Sequence, residues 1–107
     1  MSRFSDVIER LAAVIESRRG GDPATSWSAK LLADPVLAAK KLAEEAMETA
    51  LAAVQDDNAA LAAESADLIY HWLALLAAKG VTLDEVAAML EAREGQSGVA
   101  EKAGRKG

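Results

Sequence analysis

The sequence predicts an all-α fold, a small helical bundle of four to five helices that is completed by dimerisation. Apolar residues recur at intervals of three and four along most of the chain, and no segment shows the alternation of a strand. Residues that cap or break helices separate these stretches. The 107 residues are 51% hydrophobic but only 4% aromatic. Because much of the apolar content is alanine, one chain buries a thin core, and a homodimer is expected.

The first two helices are predicted from their apolar residues and from the residues that end them. A helix is expected over residues 2–19, because four apolar side chains form one stripe: Phe4, Ile8, Leu11 and Ile15. The Gly20-Gly21 pair ends this helix. A shorter helix is expected over residues 26–33.

The two central helices are expected to be long and consecutive. Asp34 is a favourable N-cap and Pro35 suits the first helical position, so a helix begins there and runs to about residue 54. Asp57 or Asn58 caps the next helix, which Gly80 ends.

The last helix and the tail follow from local composition. Thr82 and Glu85 have the spacing of a capping box, which predicts a helix that ends near residue 94. Residues 1–94 are accordingly expected to form one all-α domain. Glycine, serine and lysine are frequent from residue 95 onward, which predicts a flexible basic C-terminal tail over residues 95–107.

Composition argues against several classes of function. The chain contains no cysteine, so disulfides and cysteine-based zinc sites are excluded. Its net charge of −5 disfavours nucleic acid as a partner. The sequence has neither a signal-peptide core nor an apolar run of transmembrane length, so we expect a cytoplasmic protein without a membrane partner.

Two acidic clusters lie on the central helices, Glu44-Glu45-x-x-Glu48 and Glu64-x-x-Asp67. Each cluster occupies one side of its helix, since successive residues are about 100° apart around the axis. Two carboxylates about 6 Å apart on facing helices repel by roughly 3 kcal/mol at an effective dielectric of about 20. A hard cation would remove this repulsion, and ligands that are all oxygen favour Mg²⁺, Mn²⁺ or Ca²⁺ over zinc. The five acids therefore predict a magnesium site suited to phosphate chemistry.

The usual alternative for glutamates is a solvated helix face with salt bridges, and it fits poorly here. The lysines that precede these glutamates are in the less favourable order, and each such pair contributes at most about 0.5 kcal/mol. Glu44 and Glu48 also share a helix face with Leu37 and Leu51. We therefore expect both glutamates to lie within the packing surface, where an unpaired charge is costly.

Other kinds of metal site are less consistent with the sequence. Di-iron carboxylate bundles need Glu-x-x-His motifs on two helices, whereas the single histidine, His71, follows Asp67 by four residues. No EF-hand loop is present. Helical geometry places His71 on the same side as Glu64, where it either hydrogen-bonds a carboxylate or contacts a substrate.

The wider pattern resembles a known family. Its segments are Ser26-Trp27-Ser28-Ala29-Lys30-Leu31-Leu32, Lys40-Lys41-x-x-Glu44-Glu45-x-x-Glu48, Glu64-x-x-Asp67-Leu68-x-Tyr70-His71 and a C-terminal Ser97-Gly98-x-x-Glu101-Lys102-Ala103. In this order they resemble the phosphoribosyl-ATP pyrophosphohydrolases of histidine biosynthesis, within the all-α nucleoside triphosphate pyrophosphohydrolase superfamily. The resemblance covers nearly the whole chain, although Ser28 stands where threonine is common in the family.

The resemblance implies a reaction and roles for the site residues. The reaction is the Mg²⁺-dependent hydrolysis of phosphoribosyl-ATP to phosphoribosyl-AMP and pyrophosphate, an early step of histidine biosynthesis. The implied metal-binding residues are Glu44, Glu45, Glu48, Glu64 and Asp67. One of Glu44 and Glu45 is alternatively the catalytic residue that orients or deprotonates the attacking water. Contacts with the nucleotide substrate are implied for Ser26, Lys30, Lys41 and His71.

Several alternatives remain open at this point. Ser26 either contacts substrate or only caps its helix, and Lys30 and Lys41 are either phosphate contacts or ordinary exposed lysines. The basic tail (Lys102, Arg105 and Lys106) either folds over the 5-phosphate or stays disordered. A broader house-cleaning nucleotide pyrophosphatase would carry the same acidic motifs. A non-catalytic helical dimerisation module would instead use the acids to bind a basic partner.

Overall fold

The computed structural model describes residues 2–95, which form five α-helices and no β-strand. The helices are α1 (Arg3–Ser17), α2 (Trp27–Ala33), α3 (Pro35–Val54), α4 (Asn58–Lys79) and α5 (Leu83–Glu91). The predicted all-α fold is confirmed. Within residues 2–95, none of the helices combines the length and the apolar character needed to cross a membrane. The basic tail and its family-like ending fall beyond residue 95, outside the described residues.

Side-chain caps explain where the helices begin. Asp34 Oδ1 accepts a hydrogen bond from the backbone N–H of Leu37 at 3.1 Å, as the sequence predicted for α3. Asp57, rather than Asn58, caps α4, since its carboxylate accepts from the N–H of Ala60 at 2.9 Å. The capping box at the start of α5 is also present. That helix ends at Glu91, somewhat earlier than expected.

The central element of the bundle is α4, which packs along α3 and also contacts α1 and α2. The buried core combines residues of α1, α2, α3 and α4, namely Ile15, Leu31, Leu32, Ala38, Leu73 and Ala74. Ile15 and Leu31 are the largest fully buried side chains of the described residues. The small number of large buried side chains agrees with the thin core that the alanine content predicted. Of the helix pairs, α3 and α4 make the most extensive contact.

Candidate metal centre

Three of the five predicted acids meet between α3 and α4. One carboxylate oxygen from each of Glu45, Glu48 and Glu64 lies within 4.8 Å of the other two, and we call this group the carboxylate triad. Glu45 is only 8% exposed, Glu64 is half-buried and Glu48 is exposed. The triad thus extends from the interface between the two helices to the protein surface.

Two oxygens of the triad are buried without a partner. Glu45 Oε2 and Glu64 Oε2 accept no hydrogen bond from the described residues. A buried carboxylate oxygen without a partner is costly, because it has lost its water and gained nothing in return. A divalent cation between the carboxylates would satisfy both atoms, and a set of oxygen ligands suits Mg²⁺ or Mn²⁺. The residues present therefore fit a hard cation.

Burial and neighbouring carboxyl groups raise the pKa values of Glu45 and Glu64. Loss of hydration raises the pKa of Glu45, and the charges of Glu48 and Asp67 raise it further, while His71 lowers it. The pKa of Glu64 is raised first by its hydrogen-bonding interaction with the Glu48 side chain, then by desolvation and by the neighbouring negative charges. Because a raised carboxyl pKa favours the protonated form, protons compete with a cation for these carboxylates.

Glu44 and Asp67 lie outside the triad. Glu44 is exposed, and its carboxylate pairs with the Lys41 ammonium at 3.1 Å, an interaction that raises the pKa of Lys41. Asp67 is also exposed, and its negative charge contributes to the raised pKa values of Glu45 and Glu64. The structure thus brings Asp67 into the electrostatic neighbourhood of the triad and gives Glu44 a separate basic partner.

The rotation of α3 differs from the expectation based on its apolar residues. The pattern placed Glu44 and Glu48 on the packing face with Leu37 and Leu51, but both glutamates are exposed. The buried residues of α3 are instead Ala38, Glu45 and Ala52. That part of the expectation is wrong because alanine occupies several sides of α3, so its few larger apolar residues do not identify the buried face.

Thr49 connects the two helices that carry the triad, and no sequence motif drew attention to it. Its hydroxyl lies 2.7 Å from the carbonyl oxygen of Glu45 and 3.2 Å from that of Glu64, so its single hydrogen is shared between the two acceptors. One side chain therefore fixes the spacing of the two backbone segments that bear the inner carboxylates. The available signal was a lone hydroxyl residue one turn after Glu45 in a helix rich in alanine.

Two polar contacts attach the start of α2 to α4. The indole Nε1–H of Trp27 donates a hydrogen bond to His71 Nε2 at 3.1 Å, and the hydroxyls of Ser28 and Tyr70 lie 2.6 Å apart. His71 Nδ1 is in turn 2.8 Å from the carbonyl oxygen of Asp67. These contacts bring the first turn of α2 beside the segment of α4 that bears the second acidic cluster.

Two predicted substrate contacts belong to the same segment, Ser26 as the N-cap of α2 and Lys30 in its last turn. Ser26 Oγ accepts a hydrogen bond from the N–H of Ala29 at 3.1 Å, so Ser26 does cap α2, and its own O–H can still donate. Lys30 is exposed, and its ammonium lies 5.7 Å from the centre of the Trp27 ring, within range of a cation–π contact.

Comparison with known proteins identifies a family that this chain matches. A family model described as phosphoribosyl-ATP pyrophosphohydrolase matches residues 8–94, a range that includes α2 and both acidic clusters.

Individual relatives named phosphoribosyl-ATP pyrophosphatase are similar over nearly their full lengths. The relative from Caulobacter vibrioides is 69% identical over 103 residues, which are 96% of each chain. A relative from another Caulobacter species is 65% identical over 105 residues, or 98% of each chain. One from Cereibacter sphaeroides is 60% identical over 100 residues, which are 92% of this chain and 97% of the relative.

Proposed function

The chain belongs to the phosphoribosyl-ATP pyrophosphohydrolase family, and we propose on this basis that it hydrolyses phosphoribosyl-ATP to phosphoribosyl-AMP and pyrophosphate, a step of histidine biosynthesis. The observation that carries the proposal is the carboxylate triad with its two unpartnered buried oxygens. A cluster of this kind suits a cation, and a triphosphate is a substrate that needs one. We also propose that the reaction takes place in the cytoplasm.

We propose Mg²⁺ as the metal, with Mn²⁺ as an effective substitute. Glu45, Glu48 and Glu64 would hold it, and Asp67 and Glu44 are proposed as outer members of the same acidic site. When bound, such a cation offsets the charge of the triphosphate and lowers the pKa of a coordinated water.

The side chains around the triad are proposed to position the substrate and the attacking water. Phosphoryl transfer depends mainly on positioning and on electrostatic stabilisation, so no covalent nucleophile is needed. Glu44 is exposed and lies outside the triad, whereas Glu45 is committed to it, so we propose that Glu44 orients or deprotonates the water. Lys41, held 3.1 Å from Glu44, and Lys30 are proposed to contact the phosphates, with the Ser26 hydroxyl as a further donor.

Steady-state kinetics with phosphoribosyl-ATP and a panel of deoxynucleoside triphosphates tests the reaction. We expect pyrophosphate release that requires Mg²⁺ and a kcat/KM that is highest for phosphoribosyl-ATP. Preference for a deoxynucleotide would refute the histidine-pathway assignment in favour of a house-cleaning pyrophosphatase. Absence of hydrolysis for every substrate, together with a melting temperature that Mg²⁺ leaves unchanged, would instead support a non-catalytic module.

We propose that the enzyme is a homodimer that pairs through the outer face of α3. Val36, Met47 and Val54 lie within about 20° of one another around the helix axis, and they are 80%, 67% and 78% exposed. Glu45 is about 180° from Val36 on the same helix. One side of α3 therefore faces the carboxylate triad, while the other presents an apolar stripe about five turns long. A second copy of this chain would bury that stripe.

Sedimentation equilibrium with a matched pair of variants tests this interface. Met47→Glu should weaken the dimer by at least tenfold in dissociation constant, because it buries a charge in an apolar contact. Met89→Glu introduces the same change at a similarly exposed methionine of α5, which is 61% exposed, and should leave the dimer intact. A monomeric wild type, or dissociation by Met89→Glu alone, would contradict the proposal.

A further inference from the structure

His71 is the only histidine of the chain, and both of its ring nitrogens have hydrogen-bond partners. The indole N–H of Trp27 can only donate, so His71 Nε2 accepts and carries no hydrogen. The carbonyl oxygen of Asp67 can only accept, so His71 Nδ1 carries the hydrogen. The two partners together define a neutral imidazole with its proton on Nδ1.

This arrangement separates His71 from the chemistry of the site. Its Nε2 lone pair and its Nδ1 hydrogen are already used, and the side chain is buried. A cation or a substrate could reach the ring only by displacing Trp27 or by breaking the bond to the Asp67 carbonyl. The ring nevertheless lies close enough to Glu45 to lower the pKa of that carboxyl group. It therefore lies between α2 and the carboxylate triad without belonging to the triad.

Trp27, which donates the hydrogen bond to His71, links His71 to α2. Trp27 is the first residue of that helix, its ring is exposed, and the ammonium of Lys30 lies 5.7 Å from the ring centre. The Tyr70 and His71 rings pack nearly perpendicular to each other with their centres 4.9 Å apart, which limits rotation of the imidazole. One hydrogen bond thus orients the indole towards His71, and the ring in turn lies within cation–π range of the Lys30 ammonium.

We propose that His71 is a positioning residue, which acts through Trp27 to hold the first turn of α2 in register with the acids of α3 and α4. Lys30 then meets the phosphates of the nucleotide at a fixed distance from the carboxylate triad. This role for Lys30 rests on the proposed function, whereas the neutral tautomer and the attachment of α2 do not.

Nitrogen NMR of the ¹⁵N-labelled full chain tests the tautomer directly, since one histidine gives one pair of ring signals. We expect an unprotonated Nε2 and a protonated Nδ1 at neutral pH. Trp27→Phe should shift the Nε2 signal, because it removes the indole donor, whereas the matched variant Trp72→Phe should leave the tautomer and that hydrogen bond unchanged. A ring protonated on Nε2 would overturn the proposal.

Amide hydrogen exchange tests the attachment of α2 without reference to any substrate. Trp27→Phe removes one hydrogen bond, which changes the equilibrium between closed and open α2 by about fivefold. Exchange of the α2 amides should be faster by roughly that factor. The amides of α3 and α4 should be unaffected, and Trp72→Phe should not reproduce the α2 effect. Unchanged exchange in α2 would show that His71 and Trp27 do not hold this helix.

Steady-state kinetics with phosphoribosyl-ATP tests whether the attachment of α2 affects substrate binding. Trp27→Phe and His71→Leu should raise KM about fivefold and change kcat by less than about twofold. His71→Gln retains an acceptor near the Nε2 position and should restore KM towards the wild-type value. A large loss of kcat with KM unchanged would mean that His71 touches the reacting groups, which would refute a positioning role.

The kinetic and spectroscopic results separate this proposal from the proposed function. A wild-type protein that binds Mg²⁺ but does not hydrolyse phosphoribosyl-ATP would refute the assigned reaction and the role of Lys30 towards its phosphates. The tautomer and the attachment of α2 would then still be decided by NMR and hydrogen exchange. If His71→Leu does not fold, Trp27→Phe still provides the kinetic comparison, because it keeps an aromatic ring and removes only the donor.

Discussion

Glu45→Gln is expected to stabilise the metal-free protein and to weaken its response to Mg²⁺. The substitution keeps the size of a side chain that is only 8% exposed, and it removes one of the three charges of the triad. The new amide N–H can also donate to a neighbouring carboxylate whose oxygen has no partner, such as that of Glu64. Both effects favour the metal-free fold.

The size of the effect follows from the spacing of the carboxylates. At the 4.8 Å limit of their separation, two unit charges repel by about 3.5 kcal/mol at a dielectric of about 20 and by about 0.9 kcal/mol in water. Because Glu48 is exposed, the lower value is the better guide to the Glu45–Glu48 repulsion. We therefore expect a gain of about 1 kcal/mol, which raises the melting temperature of a domain of this size by roughly 4–8 °C.

Scanning calorimetry with EDTA and with excess Mg²⁺ measures both parts of this prediction. Wild-type stability should increase with Mg²⁺ concentration, by about 1.4 kcal/mol at ten times the dissociation constant, and the Glu45→Gln increase should be much smaller. Glu9→Gln, at an exposed position of α1, removes the same charge and serves as the control. A metal-free Glu45→Gln protein that melts several degrees below wild type would refute the electrostatic reasoning, because Glu45 would then be stabilising the fold.

Three further outcomes follow from the structure. The pKa values of Glu45 and Glu64 are raised in the metal-free fold. As pH rises above the ordinary glutamate pKa of about 4.5, these two groups lose their protons in the unfolded state before they do so in the folded state, so the free energy of unfolding should fall. Urea titrations across pH should show a flatter dependence for Glu45→Gln. Thr49→Val removes the hydroxyl contacts to both triad helices, so Mg²⁺ affinity measured by calorimetric titration should fall several-fold. Thr49→Ser keeps a hydroxyl and should retain the wild-type affinity. Equal Mg²⁺ affinities for the two variants would contradict a role of Thr49 in spacing the helices. Leu31→Ala in the core should lower the free energy of unfolding by about 2–5 kcal/mol, against little change for Leu90→Ala at an exposed site.

The helices were predictable because their ends are determined locally. Asp34 and Thr82 each cap a helix by binding a backbone N–H three residues later, so a short stretch of sequence contains both the donor and the acceptor. Gly80 likewise ends α4 alone, in a left-handed conformation with φ of 74° that favours glycine. Signals of this kind do not depend on how the helices pack against one another.

The inner geometry of the site was less predictable because it depends on helix rotation. Glu44 and Glu45 are about 100° apart on the same helix, and the sequence alone does not decide which of the two faces α4. Alanine surrounds much of α3, so its apolar pattern specifies no single face. Contacts between distant segments were also outside sequence reasoning, as the hydrogen bond between Trp27 and His71 illustrates.

The alanines that make the core thin also bring the acidic helices together. Helix axes approach more closely where the side chains between them are small, and the buried residues of α3 and α4 include Ala38, Ala52 and Ala74. Larger residues there would strengthen the core but would also separate Glu45 from Glu64. Small side chains on these helices therefore favour a cation site between them, although one chain then buries less apolar area. A second chain that covered the apolar stripe on the opposite side of α3 would add to that buried area.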